Sequence, residues 1–159
     1  MKSKTYSLTF GGELLRRGFW LYVWEIKTSE NVYLYYAGRT GDSSSVNAQS
    51  PFNRMGQHLG FNDKSNVLRR RLRGRGIDPE DCEYRLVAHG PILGETSDRD
   101  EHRKLRDIIA ALEKALAEAM CAAGYTVINT VKCRKPLDEL QFEEVRVAFG
   151  REFPKLARR

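Results

Sequence analysis

The sequence predicts an α/β fold in which a small central antiparallel sheet of about three strands is flanked by helices. Two runs of aromatic and β-branched residues lie close together near the N-terminus, as the two strands of a hairpin do. A third such run lies in the middle of the chain, and a long segment with helical periodicity follows it. The chain of 159 residues suits one core, so we expect a single domain over residues 1–159.

The hairpin is predicted from the runs GFWLYVWEI, Gly18 to Ile26, and VYLYYAG, Val32 to Gly38. The polar residues KTSEN between them form the expected turn. CEYRLVAHG, Cys82 to Gly90, has the same strand composition and supplies the third strand. The stretch YTVINTV, residues 125–131, is expected to be a short extended segment.

The first helix is predicted where a polar loop, rich in serine, ends. Ser50 can cap a helix and Pro51 suits its first position, so we expect a helix from Pro51 to about Leu59. In the longest predicted helix, apolar residues from Leu105 to Ala123 recur at helical spacing and Gly124 ends the run. The remaining expectations are helices from about Lys64 to Arg73, from about Asp98 to Ala123 and from Pro136 through about Phe149, and a frayed basic tail over residues 155–159.

Charge and cysteine content indicate the class of protein. The formal net charge of +6 and the pI of about 9.3 favour a polyanionic partner, because Lys and Arg bind phosphates with release of counterions. The three cysteines, Cys82, Cys121 and Cys133, have no CxxC spacing, so we expect buried reduced thiols rather than a zinc site or a disulfide framework. No stretch has the length and apolarity of a membrane span or a signal peptide, which predicts a cytoplasmic location.

Six positions in order resemble the GIY-YIG nuclease family. Trp20-Leu21-Tyr22 and Tyr36-Ala37-Gly38 resemble its two name-giving tripeptides, and the 13 residues between Tyr22 and Tyr36 are close to the family's spacing. Arg54 and His58 repeat the Arg-x-x-x-His arrangement of its homing and restriction endonucleases. Glu113 and Asn129 are similar to its metal-binding Glu and its terminal Asn. The resemblance spans about two-thirds of the chain, with a core of about 18–130 and a longer loop before Arg54 than the family's compact form.

The resemblance implies a role for each matched residue. Arg54 stabilises the charge that develops on phosphate, while His58 and Tyr22 position or deprotonate water. Tyr36 contributes a phosphate-facing hydroxyl. Glu113 holds Mg²⁺ or Mn²⁺, and Asn129 holds the site together or contacts substrate. Arg39, which follows Gly38, is placed among the substrate-binding residues.

Helix geometry supports two of these assignments. Arg54 and His58 are four residues apart and share one face, about opposite the apolar stripe of Phe52, Met55 and Leu59. We therefore expect the stripe to pack inward and the polar pair to face a cleft beside the hairpin.

The long helix carries two candidate metal ligands. With Leu105 at zero and about 100° per residue, Glu113 falls near +80°, at the edge of the apolar stripe. Glu118 falls near 220°, where water is the expected neighbour. Glu113 is therefore the predicted ligand. Without the resemblance, a boundary carboxylate that extends to solvent and has no function is the favoured interpretation.

The densest basic run is a predicted phosphate-binding patch. No acidic residue interrupts it, so its charge is expected to be uncompensated, although a solvated helix face is the alternative. The arginines assigned to the patch are Arg69, Arg70, Arg71 and Arg73.

His89 and His102 carry no motif and are expected to be structural.

These observations predict a metal-dependent endonuclease whose partner is DNA. The alternatives are a catalytically silent nucleic-acid-binding module of the same fold and an RNA-directed nuclease. One such centre cuts one strand, so cleavage of both strands would need a homodimer or two binding events.

Overall fold

The computed structural model describes residues 3–157 and contains a three-stranded antiparallel sheet with strand order β2-β1-β3, flanked by four helices. The predicted α/β class is confirmed. None of the helices in this part of the chain is long and apolar enough to cross a membrane. The elements are β1 (Phe19–Lys27), β2 (Tyr33–Arg39), α1 (Pro51–Leu59), α2 (Val67–Arg73), β3 (Glu83–Leu93), α3 (Arg99–Ala122) and α4 (Glu139–Gly150).

β1 is the central strand, and both of its faces are buried. Phe19, Leu21 and Val23 belong to a cluster with α3 and α4, whereas Tyr22 and Trp24 belong to a second cluster with α2. Side chains alternate between the two faces of a strand, so a strand covered on both sides needs a continuous apolar run. The sequence GFWLYVWEI meets that need.

The outer edge of β2 is covered by the extended segment that follows α3. The amide of Tyr35 donates to the carbonyl of Thr126 at 2.9 Å, and the amide of Ile128 donates to the carbonyl of Tyr35 at 2.8 Å. Tyr35 and Val127 form a parallel bridge. The prediction of a short extended stretch is confirmed, and its pairing leads the chain to Asn129, beside the second tripeptide.

α1 has the predicted bounds, and Ser50 caps it by accepting from the amide of Asn53 at 3.3 Å. The predicted orientation is confirmed except at Phe52. Arg54 and His58 both contact Tyr22 of the hairpin, and Met55 and Leu59 pack against the second core cluster, whereas Phe52 is 37% exposed. The ring of Phe52 packs against Phe10 at 4.9 Å between centroids, so part of the apolar stripe is covered by the N-terminal segment and not by the sheet.

Two helices begin later than predicted. α2 begins at Val67, since Lys64 lies in a turn where its amide donates to the side chain of Asn62. α4 begins at Glu139, because the carboxylate of Asp138 accepts from the first free amides of that helix.

The chain end and the cysteines also differ from expectation. Pro154–Ala157 forms a short 3-10 helix with Leu156 buried, so the predicted fraying is wrong for those positions; Arg158 and Arg159 lie outside the described residues.

Cys121 is exposed, and Cys82 and Cys133 are only half-buried. The thiols are free, as expected, but the prediction that they are buried is wrong.

Candidate active site

Tyr22 and His58 meet between β1 and α1. The Tyr22 hydroxyl lies 2.6 Å from Nε2 of His58, and each residue is only 1% exposed. The ring of Tyr36, on the neighbouring strand, packs edge-on against the His58 ring with 5.1 Å between centroids. Residues 36 positions apart are thus brought together in one buried cluster.

Burial controls the protonation of this cluster. It lowers the pKa of His58 to about 3, with a further contribution from the Arg54 charge, so the imidazole is neutral at physiological pH. Burial also raises the pKa of Tyr22 far above its ordinary value and that of Tyr36 to about 12, so both phenols keep their protons. The cluster is neutral apart from Arg54.

The Arg54 contact favours one direction for the Tyr22–His58 hydrogen bond. Nε of Arg54 donates to the Tyr22 oxygen at 3.4 Å, and in the arrangement that fits this contact the Tyr22 O–H donates to Nε2 of His58. A neutral imidazole that accepts at Nε2 carries its own proton on Nδ1. That Nδ1 is buried and has no hydrogen-bond partner within residues 3–157.

The remaining nitrogens of Arg54 are held by two residues that sequence reasoning missed. One terminal nitrogen donates to Gln57 Oε1 at 3.0 Å, and the other pairs with Asp42 Oδ2 at 3.0 Å. Gln57 follows Arg54 by three positions, so helical spacing alone could have indicated that contact. Asp42 lies in an irregular loop, where no local signal exists.

The loop that carries Asp42 is attached to the rest of the fold. Nε2 of His102 lies 3.1 Å from the carbonyl of Ser43, and Nε of Arg17 donates to the carbonyl of Ala48 at 3.1 Å. His102 is 2% exposed. Its contacts match the structural role expected for it.

Glu113 reaches the border of the cluster from α3. Its carboxylate pairs with Arg39 at 3.4 Å, and its side chain is only 13% exposed. Burial raises the pKa of Glu113 to about 7, because the loss of hydration destabilises the ionised carboxylate by more than the attraction of Arg39 stabilises it. The predicted substrate-binding residue Arg39 is therefore engaged with the predicted metal ligand.

The donor chemistry at Glu113 fits a hard divalent cation. The carboxylate of Glu113 is buried, and its raised pKa indicates that Arg39 compensates only part of its negative charge. Mg²⁺ accepts a site with few protein oxygens because it keeps several waters. Within residues 3–157 no group of three or more His, Cys, Asp or Glu side chains is placed to hold a metal ion. A cation here would have Glu113 as its protein ligand.

Asn129 holds the covering segment to β2. Its Oδ1 accepts from the amide of Ala37 at 3.0 Å, and its Nδ2 donates to the carbonyl of Ala37 at 2.7 Å. Both ends of the side-chain amide are used, so these contacts match the structural one of its two predicted roles.

Gly38 is required by the position of Tyr22. The two residues are paired across β1 and β2, and a Cβ at position 38 would lie 2.5 Å from the Tyr22 ring. The absence of a side chain at Gly38 therefore leaves room for the Tyr22 ring to lie over β2.

The predicted basic patch separates into different environments. Arg69 is 5% exposed, forms an ion pair with Glu80 and donates to the carbonyl of Leu59. The expectation of uncompensated charge is therefore wrong for Arg69. Arg71 is half-buried and donates to the carbonyl of Ile128 at 3.3 Å. The patch residues that are exposed are Arg70 and Arg73.

Comparison of the chain with models of protein families, with curated proteins and with solved structures finds no match. The resemblance to GIY-YIG nucleases therefore rests on residue types, their order and their placement. Four of the matched side chains, those of Tyr22, Tyr36, Arg54 and His58, form one cluster; Glu113 and Arg39 lie at its border, and Asn129 lies behind β2.

Proposed function

We propose that this protein is an endonuclease that hydrolyses DNA phosphodiester bonds with Mg²⁺ or Mn²⁺, using an arrangement like that of the GIY-YIG nucleases it resembles. The observation that carries the proposal is the Tyr22–His58 contact of 2.6 Å with Arg54 donating to the same phenol oxygen. Such a linked phenol, imidazole and guanidinium is suited to move a proton beside an anionic phosphate.

The Tyr22–His58 pair provides a route for the proton of the attacking water. The Tyr22 oxygen takes a proton from that water while the Tyr22 O–H proton passes to Nε2 of His58. In the free protein His58 is a weak proton acceptor, because burial and Arg54 depress its pKa.

Arg54 supplies the donors for the charged phosphate. A guanidinium presents a rigid fork that fits two non-bridging oxygens. Its side chain is 18% exposed, and its outer nitrogen is held by Asp42, whose side chain is 40% exposed. Substrate phosphate therefore replaces Asp42 as the partner of Arg54.

Glu113 would hold the divalent cation, and Arg39 orients its carboxylate. When bound, the cation supplies positive charge for the leaving oxygen. Three free cysteines agree with a reducing compartment, and we place the protein in the cytoplasm. One centre of this kind cuts one strand, so a homodimer would be needed to cut both strands in a single event.

A catalytically silent binding module is the second candidate. The observation that favours it is the pairing of both charged site residues, Arg54 with Asp42 and Glu113 with Arg39. In that case the basic surface binds nucleic acid and the buried cluster only stabilises the fold.

A plasmid assay distinguishes the two candidates. We expect the purified protein to convert supercoiled DNA to nicked or linear DNA with Mg²⁺ or Mn²⁺ and to leave it intact in EDTA. Binding of DNA without cleavage under either metal, on plasmid and on branched substrates alike, would favour the binding module.

A further inference from the structure

Phe61 is an exposed aromatic residue beside the arginine-rich helix α2. It follows α1 directly after the capping residue Gly60, and 81% of it is exposed to solvent. It lies three positions after His58, so its Cα is at most about 11 Å from that of His58. Phe61 therefore lies just beyond the end of the helix that carries Arg54 and His58.

One face of the Phe61 ring is covered by a buried cation. The guanidinium carbon of Arg69 lies 4.4 Å from the ring centroid. Arg69 itself is 5% exposed and is held by Glu80 and by the carbonyl of Leu59. Because Glu80 and Leu59 hold the Arg69 guanidinium in place, its cation–π contact keeps the Phe61 ring in one orientation.

The other face of the ring is open. With Arg69 on one side and most of the residue exposed, the opposite face of Phe61 meets solvent. An aromatic face that is fixed in place and exposed is the surface on which a nucleobase stacks. A paired base inside a duplex has both faces covered by its neighbours, so the fitting base is an unpaired one.

A free cation lies on the same face of α2 as Arg69. Arg73 is one helical turn further along, so the two side chains share a side of the helix. Arg73 is exposed, and within the described part of the chain its side chain has no hydrogen-bond or ion-pair partner. It is placed to bind a phosphate of the nucleotide whose base lies on Phe61.

We propose that Phe61 is a stacking platform for an unpaired nucleobase and that Arg73 binds the adjoining phosphate. The inference rests on the proposed function and specifies its substrate class: DNA that presents unpaired nucleotides next to the cleaved bond, such as a single-stranded, flapped or branched end.

Binding in EDTA tests the subsite without cleavage. The probe is a short single-stranded oligodeoxynucleotide that carries 2-aminopurine, whose fluorescence falls when the base stacks, and the reference is a fully paired duplex. We expect Phe61→Leu to weaken binding of the single strand by about tenfold and to abolish the quenching, with duplex binding unchanged. Phe61→Trp should retain both, and Arg73→Gln should weaken binding of the single strand while quenching at saturation persists.

Phe52→Leu is the matched control, because Phe52 is a partly exposed phenylalanine too, but it lies within α1 and packs against Phe10. It should bind like the wild type. Unchanged single-strand binding by Phe61→Leu, or equal losses for single strand and duplex, would overturn the platform and leave the proposed function standing. Failure of the wild type to bind any DNA would overturn both.

Discussion

The side chains around Tyr22 form a network in which each group sets the protonation of the next. Arg54 donates to the phenol oxygen, and the phenol donates to a neutral His58. Removal of water makes charge costly for both tyrosine and histidine, so the free protein keeps this network neutral except at the arginine.

Arg54 is therefore expected to act on the transition state more than on binding. Arg54→Ala should reduce cleavage by about 10²-fold or more, because it removes donors aimed at developing charge. DNA affinity at low salt should fall only a few-fold, since exposed arginines elsewhere remain. Single-turnover rates and fluorescence anisotropy measure the two quantities. Equal losses in both would make Arg54 an anchor for phosphate and not a catalytic residue.

At the scale of the elements, the phase of α3 decides which glutamate meets the site. Ile109 and Leu116 are fully buried, so the helix presents the face that the apolar periodicity predicts. Glu113 lies at the border of that face and is 13% exposed, whereas Glu118 is 68% exposed and pairs with Lys114.

These positions make Glu113 and Glu118 a matched pair for testing the metal ligand. Glu113→Gln should abolish metal-dependent cleavage, because an amide oxygen lacks the charge that holds the cation. Glu118→Gln should cleave like the wild type. Titration with Mg²⁺ in a nicking assay measures the effect, and the reverse result would assign the ligand to Glu118.

The arginines of α2 have separate roles because the helix is buried on one side. Arg69 ties the end of α1 to Glu80, whereas Arg70 and Arg73 face solvent. Nucleic-acid affinity depends on charges that can reach phosphates, and stability depends on buried pairs.

We expect the double change Arg70→Gln and Arg73→Gln to weaken duplex binding and to reduce the slope of log affinity against log salt by about two. The melting temperature should stay near that of the wild type. Arg69→Gln should instead lower the melting temperature, because it leaves Glu80 unpaired and the end of α1 without its donor. Salt-dependent anisotropy and thermal melts test the pair, and a salt slope that is unchanged in the double variant contradicts the assignment.

At the scale of the whole molecule, the site contributes to the pH dependence of folding. The pKa of Glu113 is about 7 in the folded protein against an ordinary value of 4.5. A carboxyl with a raised pKa contributes stability that is fully present below pH 4.5 and is lost as the pH rises to about 7, because the unfolded state ionises first.

The free energy of unfolding of the wild type, relative to Glu113→Gln, should therefore fall between pH 4.5 and 7, by at most roughly 3 kcal/mol. Urea unfolding at a series of pH values measures this difference. Mg²⁺ should restore part of the lost stability above pH 7 if it binds the carboxylate. A flat difference for Glu113→Gln would mean that water reaches the carboxyl in the folded state.

Much of the architecture follows from local pattern. Alternating and continuous apolar runs predict β1, β2 and β3, and the Ser50-Pro51 pair predicts the start of α1, because strands, helices and caps are determined by neighbouring residues. The phase of α3, and with it the choice of Glu113 over Glu118, follows from the fixed rotation per residue of a helix.

Contacts between distant segments decide the rest. The sequence alone identified Tyr22, Tyr36, Arg54 and His58 as a set, but only the fold brings His58 within hydrogen-bond distance of the buried Tyr22 hydroxyl. Likewise, the capture of Arg54 by Asp42 and of Arg69 by Glu80 depends on a loop and a turn whose paths no local pattern predicts. Local periodicity determines which face of a helix is apolar; tertiary packing determines what each face meets.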